Sequence, residues 1–176
     1  MEQAIKEASD KGILIFAAAS NTGNIPRARV AFPASLYGRV MAMFACGVTA
    51  KVMPNTFNPV PTDDSSLNFA FLGEDVKAFP NKKLQSGTSY ATFIGAGVAA
   101  ALFDFYKQDD VLSEMKSVEK LNSITGISAV FKYMSVKEGR YRSVLPWHWL
   151  SGARSSPEDE RKRIIHILFT ALAFAE

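Results

Sequence analysis

The sequence predicts an α/β fold: a partial parallel sheet of about three strands with flanking helices, followed by a helical C-terminal extension. Three observations carry this. The apolar runs Ile13–Ala19 and Val40–Cys46 show no alternation, which is how strands covered on both faces of a parallel sheet read. A short amphipathic helix ending at a glycine leads into the first of them, giving half of an αβ repeat. A long helical pattern runs from about Ser89 to Tyr106.

Taken in order, residues 2–11 place Ala4, Ile5 and Ala8 on one face with charges elsewhere, and Gly12 stands where a helix would end. After the strand 13–19, residues 20–39 read as a loop punctuated by Gly23, Pro26, Pro33 and Gly38. The run Val40–Cys46 is the second strand. Pro54, Pro59 and Pro61, with interspersed Asn, Asp and Ser, make residues 51–66 a turn-rich surface segment. Residues 67–72 alternate apolar and smaller side chains and end at Gly73, a third strand. Gly95 and Gly97 inside the helix 89–106 allow close approach to a neighbouring strand.

The pattern then changes, and the chain divides at about residue 108 into 1–108 and a helical extension 109–176 packed on it. Residues 110–122 and 124–135 read as helices, and 139–152 as a loop rich in aromatic and basic residues. The last helix is marked by Ser156 as N-cap, Pro157 at its first position and three acids in its first turn. Its apolar face carries Ile164, Leu168 and Leu172, with Ile165, Phe169 and Ala171 beside them.

Composition narrows the function classes. With 48% hydrophobic and 21% charged residues over 176 positions, the chain has globular composition and enough length for a substantial core. The net charge of +3 is small. Its one basic cluster, Arg161-Lys162-Arg163, reads as a solvated helix face, so no nucleic-acid partner is expected. The single cysteine, Cys46, excludes an intramolecular disulfide and sits in an apolar strand, where a buried structural thiol is expected. The N-terminus is charged and lacks the apolar core of a signal peptide. No stretch reads as a membrane span. No membrane partner, cofactor or metal is expected, and localisation stays open.

Two segments carry chemistry. Ser86-Gly87-Thr88-Ser89-Tyr90-Ala91-Thr92 opens the long helix, so the Ser89 N–H belongs to the orphan donors of a first turn, where the dipole favours negative charge. Ala17-Ala18-Ala19-Ser20-Asn21-Thr22-Gly23 places Asn21 at the carboxyl end of a parallel strand, where ligands of open α/β sheets gather. Taken singly, Ser89 reads far more readily as an N-cap than as a nucleophile, and Asn21 as an ordinary turn residue.

Together, in this order and spacing, the two segments resemble the oxyanion-asparagine box and the nucleophile box of subtilisin-like serine proteases (subtilases, the S8 peptidases), over residues 1–105. The resemblance implies acyl transfer through a serine, with Ser89 as nucleophile and Asn21 as oxyanion donor. It implies a substrate pocket walled by Ala18, Ala19 and Ser20 and floored near Ala31 and Phe32, taking a peptide or protein substrate. Two positions depart from the family pattern. Ser20 replaces the usual glycine before the asparagine, and Phe93-Ile94 replaces Pro-His in the nucleophile helix.

The family's aspartate and histidine boxes lie upstream of both segments, and neither is present. The chain is therefore expected to be the C-terminal half of a subtilisin-like catalytic domain, inactive alone and partnered by the missing N-terminal half. The alternative is a non-catalytic subtilase-like module acting through protein–protein contacts. A rival order of nucleophile, acid and histidine, as in α/β-hydrolases, would use Asp109 or Asp110 with His148, but the second glycine of the Gly-x-Ser-x-Gly elbow is absent. His148, between Trp147 and Trp149, reads as part of an aromatic cluster sealing the C-terminal helices. His166 reads as a partly buried, hydrogen-bonded side chain.

Overall fold

The computed structural model describes all residues except 53–57, 62–66, 78–82, 115–117, 149–155, 174 and 176. An amphipathic helix, α1 (Glu2–Asp10), leads through Gly12 at φ +75° into β1 (Phe16–Ala18). Next come β2 (Met41–Cys46), β3 (Phe69–Leu72) and the long α2 (Thr88–Tyr106). The first three strands are parallel neighbours, with Phe16 opposite Met41 and Met43 opposite Phe69.

The α/β class predicted from the sequence holds, and two further strands join the sheet. After the short α3 (Asp109–Glu114), a 3-10 turn at Val118–Asn122 and α4 (Ile124–Tyr133), the chain forms a hairpin of β4 (Ser135–Glu138) and β5 (Tyr141–Val144). β5 adds in parallel to β3, giving the sheet order β1-β2-β3-β5-β4. Part of this hairpin lies in the stretch read above as loop. Its signal was Gly139 at φ +59° in a two-residue turn, the conformation that favours glycine. The outer strand β4 is largely exposed and offers little apolar alternation to read.

The unalternated β2 has a direct physical cause. Met41, Met43 and Ala45 enter one apolar cluster with Phe69, Phe71 and the helices, while Ala42, Phe44 and Cys46 enter another on the opposite face. Phe131 of α4 meets Phe69 and Phe71 edge-to-face, at 5.5 and 5.0 Å between ring centroids. Each such pair adds about 0.5–1.5 kcal/mol beyond area burial. This first cluster runs from Met41 to Ala175, so residues on both sides of position 108 share one core.

α2 lies across β1, β2 and β3. A Cβ on Gly95 would stand 3.1 Å from the Met43 sulfur and the Phe71 ring, so the expected close approach occurs there; Gly97 has nothing within 4 Å. At 19 residues and a mean hydropathy of 1.2, α2 is long and apolar enough to cross a membrane, which the sequence reading did not anticipate. Here its buried stripe, including Ala91, Gly95, Ala99 and Leu102, packs inward. The last helix, α5 (Pro157–Ala173), begins as predicted: Ser156 Oγ accepts from the Asp159 N–H at 3.1 Å and donates to Asp159 Oδ2 at 2.7 Å. Donation from the Ser156 hydroxyl first, and from its backbone N–H, holds the Asp159 carboxyl below its ordinary value.

Three local expectations are corrected. His148 is exposed beside a 41% exposed Trp147, so this pair seals nothing; Trp149 lies outside the described residues. His166 is exposed as well. In the segment read as surface turns, Val52, Asn58, Pro59 and Pro61 are buried.

Cys46 is fully buried, as expected, and burial pushes its thiol up to about 11 from an ordinary 9.0. Folding thus disfavours the thiolate, so stability is full below pH 9 and declines as pH rises from 9 towards 11. Iodoacetamide is expected to modify Cys46 only at the rate of unfolding. A Cys46→Ala variant should show a shallower loss of stability across that pH window.

Candidate active site

The site forms where β1 ends and α2 begins. The β1–β2 ladder runs through Met41 N–H to Ile15 O (2.8 Å) and Ala19 N–H to Met43 O (2.9 Å). At Ser20 the chain leaves the sheet with φ +139°, a value that L residues rarely adopt. Asn21 follows at once. On the other side, Gly87 is tied to the end of β3 by its N–H to Gly73 O (2.7 Å) and passes so close to Asn21 that a Cβ would stand 3.1 Å from Asn21 Nδ2. A glycine is needed there, and also at Gly73, where a Cβ would meet Ala45 Cβ at 2.6 Å.

Thr88 orients the asparagine. Its N–H donates to Asn21 Oδ1 at 2.8 Å and its hydroxyl to the same oxygen at 3.0 Å. A backbone N–H can only donate, so the amide oxygen must face Thr88 and the NH₂ must face away. Asn21 is exposed, and among the described residues its Nδ2 has no acceptor. Ser89 is the second residue of α2 and is exposed; its hydroxyl and its N–H have no partner among the described residues. Among the described residues, the Ser89 hydroxyl, the Ser89 N–H and Asn21 Nδ2 are thus left without partners around the positive end of a 19-residue helix.

The remaining sequence-predicted residues gather nearby. Ala31 N–H donates to Ala19 O at 2.7 Å, setting the loop after Val30 alongside the end of β1. Ala31 is exposed and Phe32 is 47% exposed, ahead of a cis bond to Pro33. Ala18 is half-buried and Ala19 wholly buried, so Ala19 borders the site with its backbone.

The rival acid is excluded by length. Asp109 follows the far end of α2, and the 17 steps from Ser89 to Tyr106 span roughly 26 Å at about 1.5 Å per residue. Sequence reasoning missed Thr88 as the group that aims Asn21, although it lies inside the serine segment. It also missed Asn58, which carries no local signal between a phenylalanine and a proline.

Ser20 is the one residue here whose backbone opposes its identity. Its Oγ lies 2.8 Å from Thr22 Oγ1, which steadies the turn without relieving φ. Strain of this kind costs ~1–3 kcal/mol, against an entropic cost of ~0.5–1 kcal/mol for glycine. Ser20→Gly is therefore expected to stabilise the chain by about 1 kcal/mol, measured by urea denaturation.

No protein-family model matches the sequence, and no curated protein does. Solved structures do. The prenylagaramide maturation protease PagA aligns over 97% of this chain and 55% of its own, at 20% identity and a TM-score of 0.58. The patellamide maturation protease PatA aligns over 99% and 57%, at 21% identity and 0.60, and the patellamide maturation protease PatG over 99% and 48%, at 19% and 0.57. The chain spans about half the length of these structures. At such identities the likeness is one of architecture, and the chain shares the α/β fold of these maturation proteases.

Proposed function

We propose that this chain carries the nucleophile side of a serine endopeptidase site of the subtilisin type, active only within a longer chain that supplies the aspartate and histidine. The observation that carries the reading is that Thr88 holds the Asn21 amide at the start of α2, next to Ser89, with Asn21 Nδ2 and the Ser89 N–H and hydroxyl all without a partner among the described residues. In this reading Ser89 Oγ attacks the peptide carbonyl while its proton passes to the histidine. The carbonyl oxygen takes up negative charge between the two N–H donors, the leaving amine recovers the proton, and water then releases the acyl group. Ala18, Ala19, Ser20, Ala31 and Phe32 would border the substrate side chain.

Two features support a partner supplying the other half. Among the described residues β1 is the edge of the sheet, an apolar strand with one side unpaired. Beside it a cavity of about 310 Å³ opens between Leu14 and Phe16 of this edge and Ala96, Ala100 and Phe103 of α2. In this reading residues 1–108 belong to the catalytic domain and 109–176 extend it. A non-catalytic module acting through protein contacts is the second reading, favoured by the exposure of both histidines.

A serine without a base keeps at most the residual ~10³–10⁴-fold acceleration of an oxyanion site and binding. The 176-residue chain should therefore show no measurable peptidase activity and label poorly with a fluorophosphonate. Rapid stoichiometric labelling of Ser89 would show that a base comes from within the chain.

A further inference from the structure

The β1–β2 ladder has a rung that β1 does not fill. Met41 and Met43 bond to β1 through Ile15 and Ala19, and the two-residue period of a strand assigns Ala45 the next rung. Its natural partners would be Ala19 and Asn21. Ala19 O instead accepts from Ala31, and the side-chain amide of Asn58 takes both groups of Ala45: Oδ1 accepts from Ala45 N–H at 2.7 Å, and Nδ2 donates to Ala45 O at 2.7 Å.

Asn58 is fully buried, and its neighbour Pro59 is held by a bond from the Tyr141 hydroxyl to Pro59 O (3.1 Å). The backbone of Asn58 lies against Gly23 so tightly that a Cβ there would fall 2.2 Å from Asn58 O. One residue therefore fills the vacated rung and braces the loop two positions beyond Asn21.

We infer that Asn58 is a positioning residue for Asn21: by replacing β1 on Ala45 and backing Gly23, it fixes where the chain leaves the sheet, and so aims the Asn21 amide at Thr88. This rests on the oxyanion role proposed for Asn21. Without Asn58, the segment 20–23 would be free to continue along β2 and carry Asn21 away from the start of α2.

Native-state hydrogen exchange on the ¹⁵N-labelled 176-residue chain tests this without any variant. The amides of Ala45, bonded to Asn58, and of Thr88, bonded to Asn21, are 43 positions apart. They should open in one event, with the same free energy and the same dependence on low denaturant. Different slopes would overturn the inference. In Asn58→Ala, the Thr88 amide should exchange at least about tenfold faster relative to that of Met41, the donor at the start of the same ladder, and the Asn21 side-chain NH₂ resonances should shift. If both amides speed up by one common factor and those resonances stay put, Asn58 only stabilises the fold and the inference fails. Should Asn58→Ala not fold, the wild-type slopes decide. Failure of the protease reading would leave the coupling intact and appear only as a Ser89 that never reacts.

Discussion

Gly23→Ala is expected to destabilise the chain by about 3 kcal/mol, the upper end of the usual cost of overpacking, because the new methyl meets backbone on both sides of the contact and no flexible side chain can yield. The added carbon would lie 2.2 Å from Asn58 O and 2.7 Å from the carbonyl carbon. Relief requires moving either the loop after Asn21 or the buried Asn58, and the second breaks two hydrogen bonds to Ala45. Gly126→Ala is the control, since a Cβ there would approach Lys120 O at 2.0 Å in a part of the fold remote from Asn21. Both substitutions should lower the urea midpoint, but only Gly23→Ala should change the exchange of the Thr88 amide beyond the global loss. A Gly23→Ala chain of wild-type stability would mean that the loop does not rest on Asn58.

The second large effect belongs to Asn21 within an active longer chain. If Asn21 is the oxyanion donor proposed above, Asn21→Ala should lower kcat by ~10²–10³, the range measured on removing the oxyanion asparagine of subtilisin, with KM little changed. Asn21→Asp is the sharper test. A carboxylate keeps an oxygen for the Thr88 N–H and hydroxyl, which bond Asn21 Oδ1 at 2.8 and 3.0 Å, so the loop stays in place. It offers no N–H, and it puts a negative charge where the oxyanion forms. The loss should equal or exceed that of Asn21→Ala while stability changes little. Equal activity in wild type and Asn21→Asp would remove Asn21 from the mechanism.

How much of this was legible in the sequence follows from where each signal resides. β2 could be read because both of its faces are buried, which writes a continuous apolar run into Met41–Cys46. α5 could be read because its N-terminus is marked by local chemistry at Ser156 and Asp159. The β4–β5 hairpin was hidden because β4 is exposed and β5 earns its place by pairing with β3, some 70 residues earlier. At the candidate site, Asn21 and Ser89 could be proposed because they belong to two short segments with a known spacing. The groups that aim them were not. Asn58 reaches Ala45 across 13 residues through a tertiary contact, and nothing in its own neighbourhood reports that it is buried. Ser20 was legible only as a departure from the expected glycine, and its φ of +139° shows what the backbone demands there.

In the proposed function Ser89 is a nucleophile awaiting a base. That role is tested most directly by labelling a longer protein that contains this chain and an upstream aspartate and histidine with a fluorophosphonate, then locating the adduct by mass spectrometry. One adduct is expected, on Ser89, lost in Ser89→Ala and when the upstream histidine is replaced, while the 176-residue chain alone stays essentially unlabelled. A longer protein that cleaves peptides with Ser89 replaced, or that carries its adduct on another residue, would contradict it.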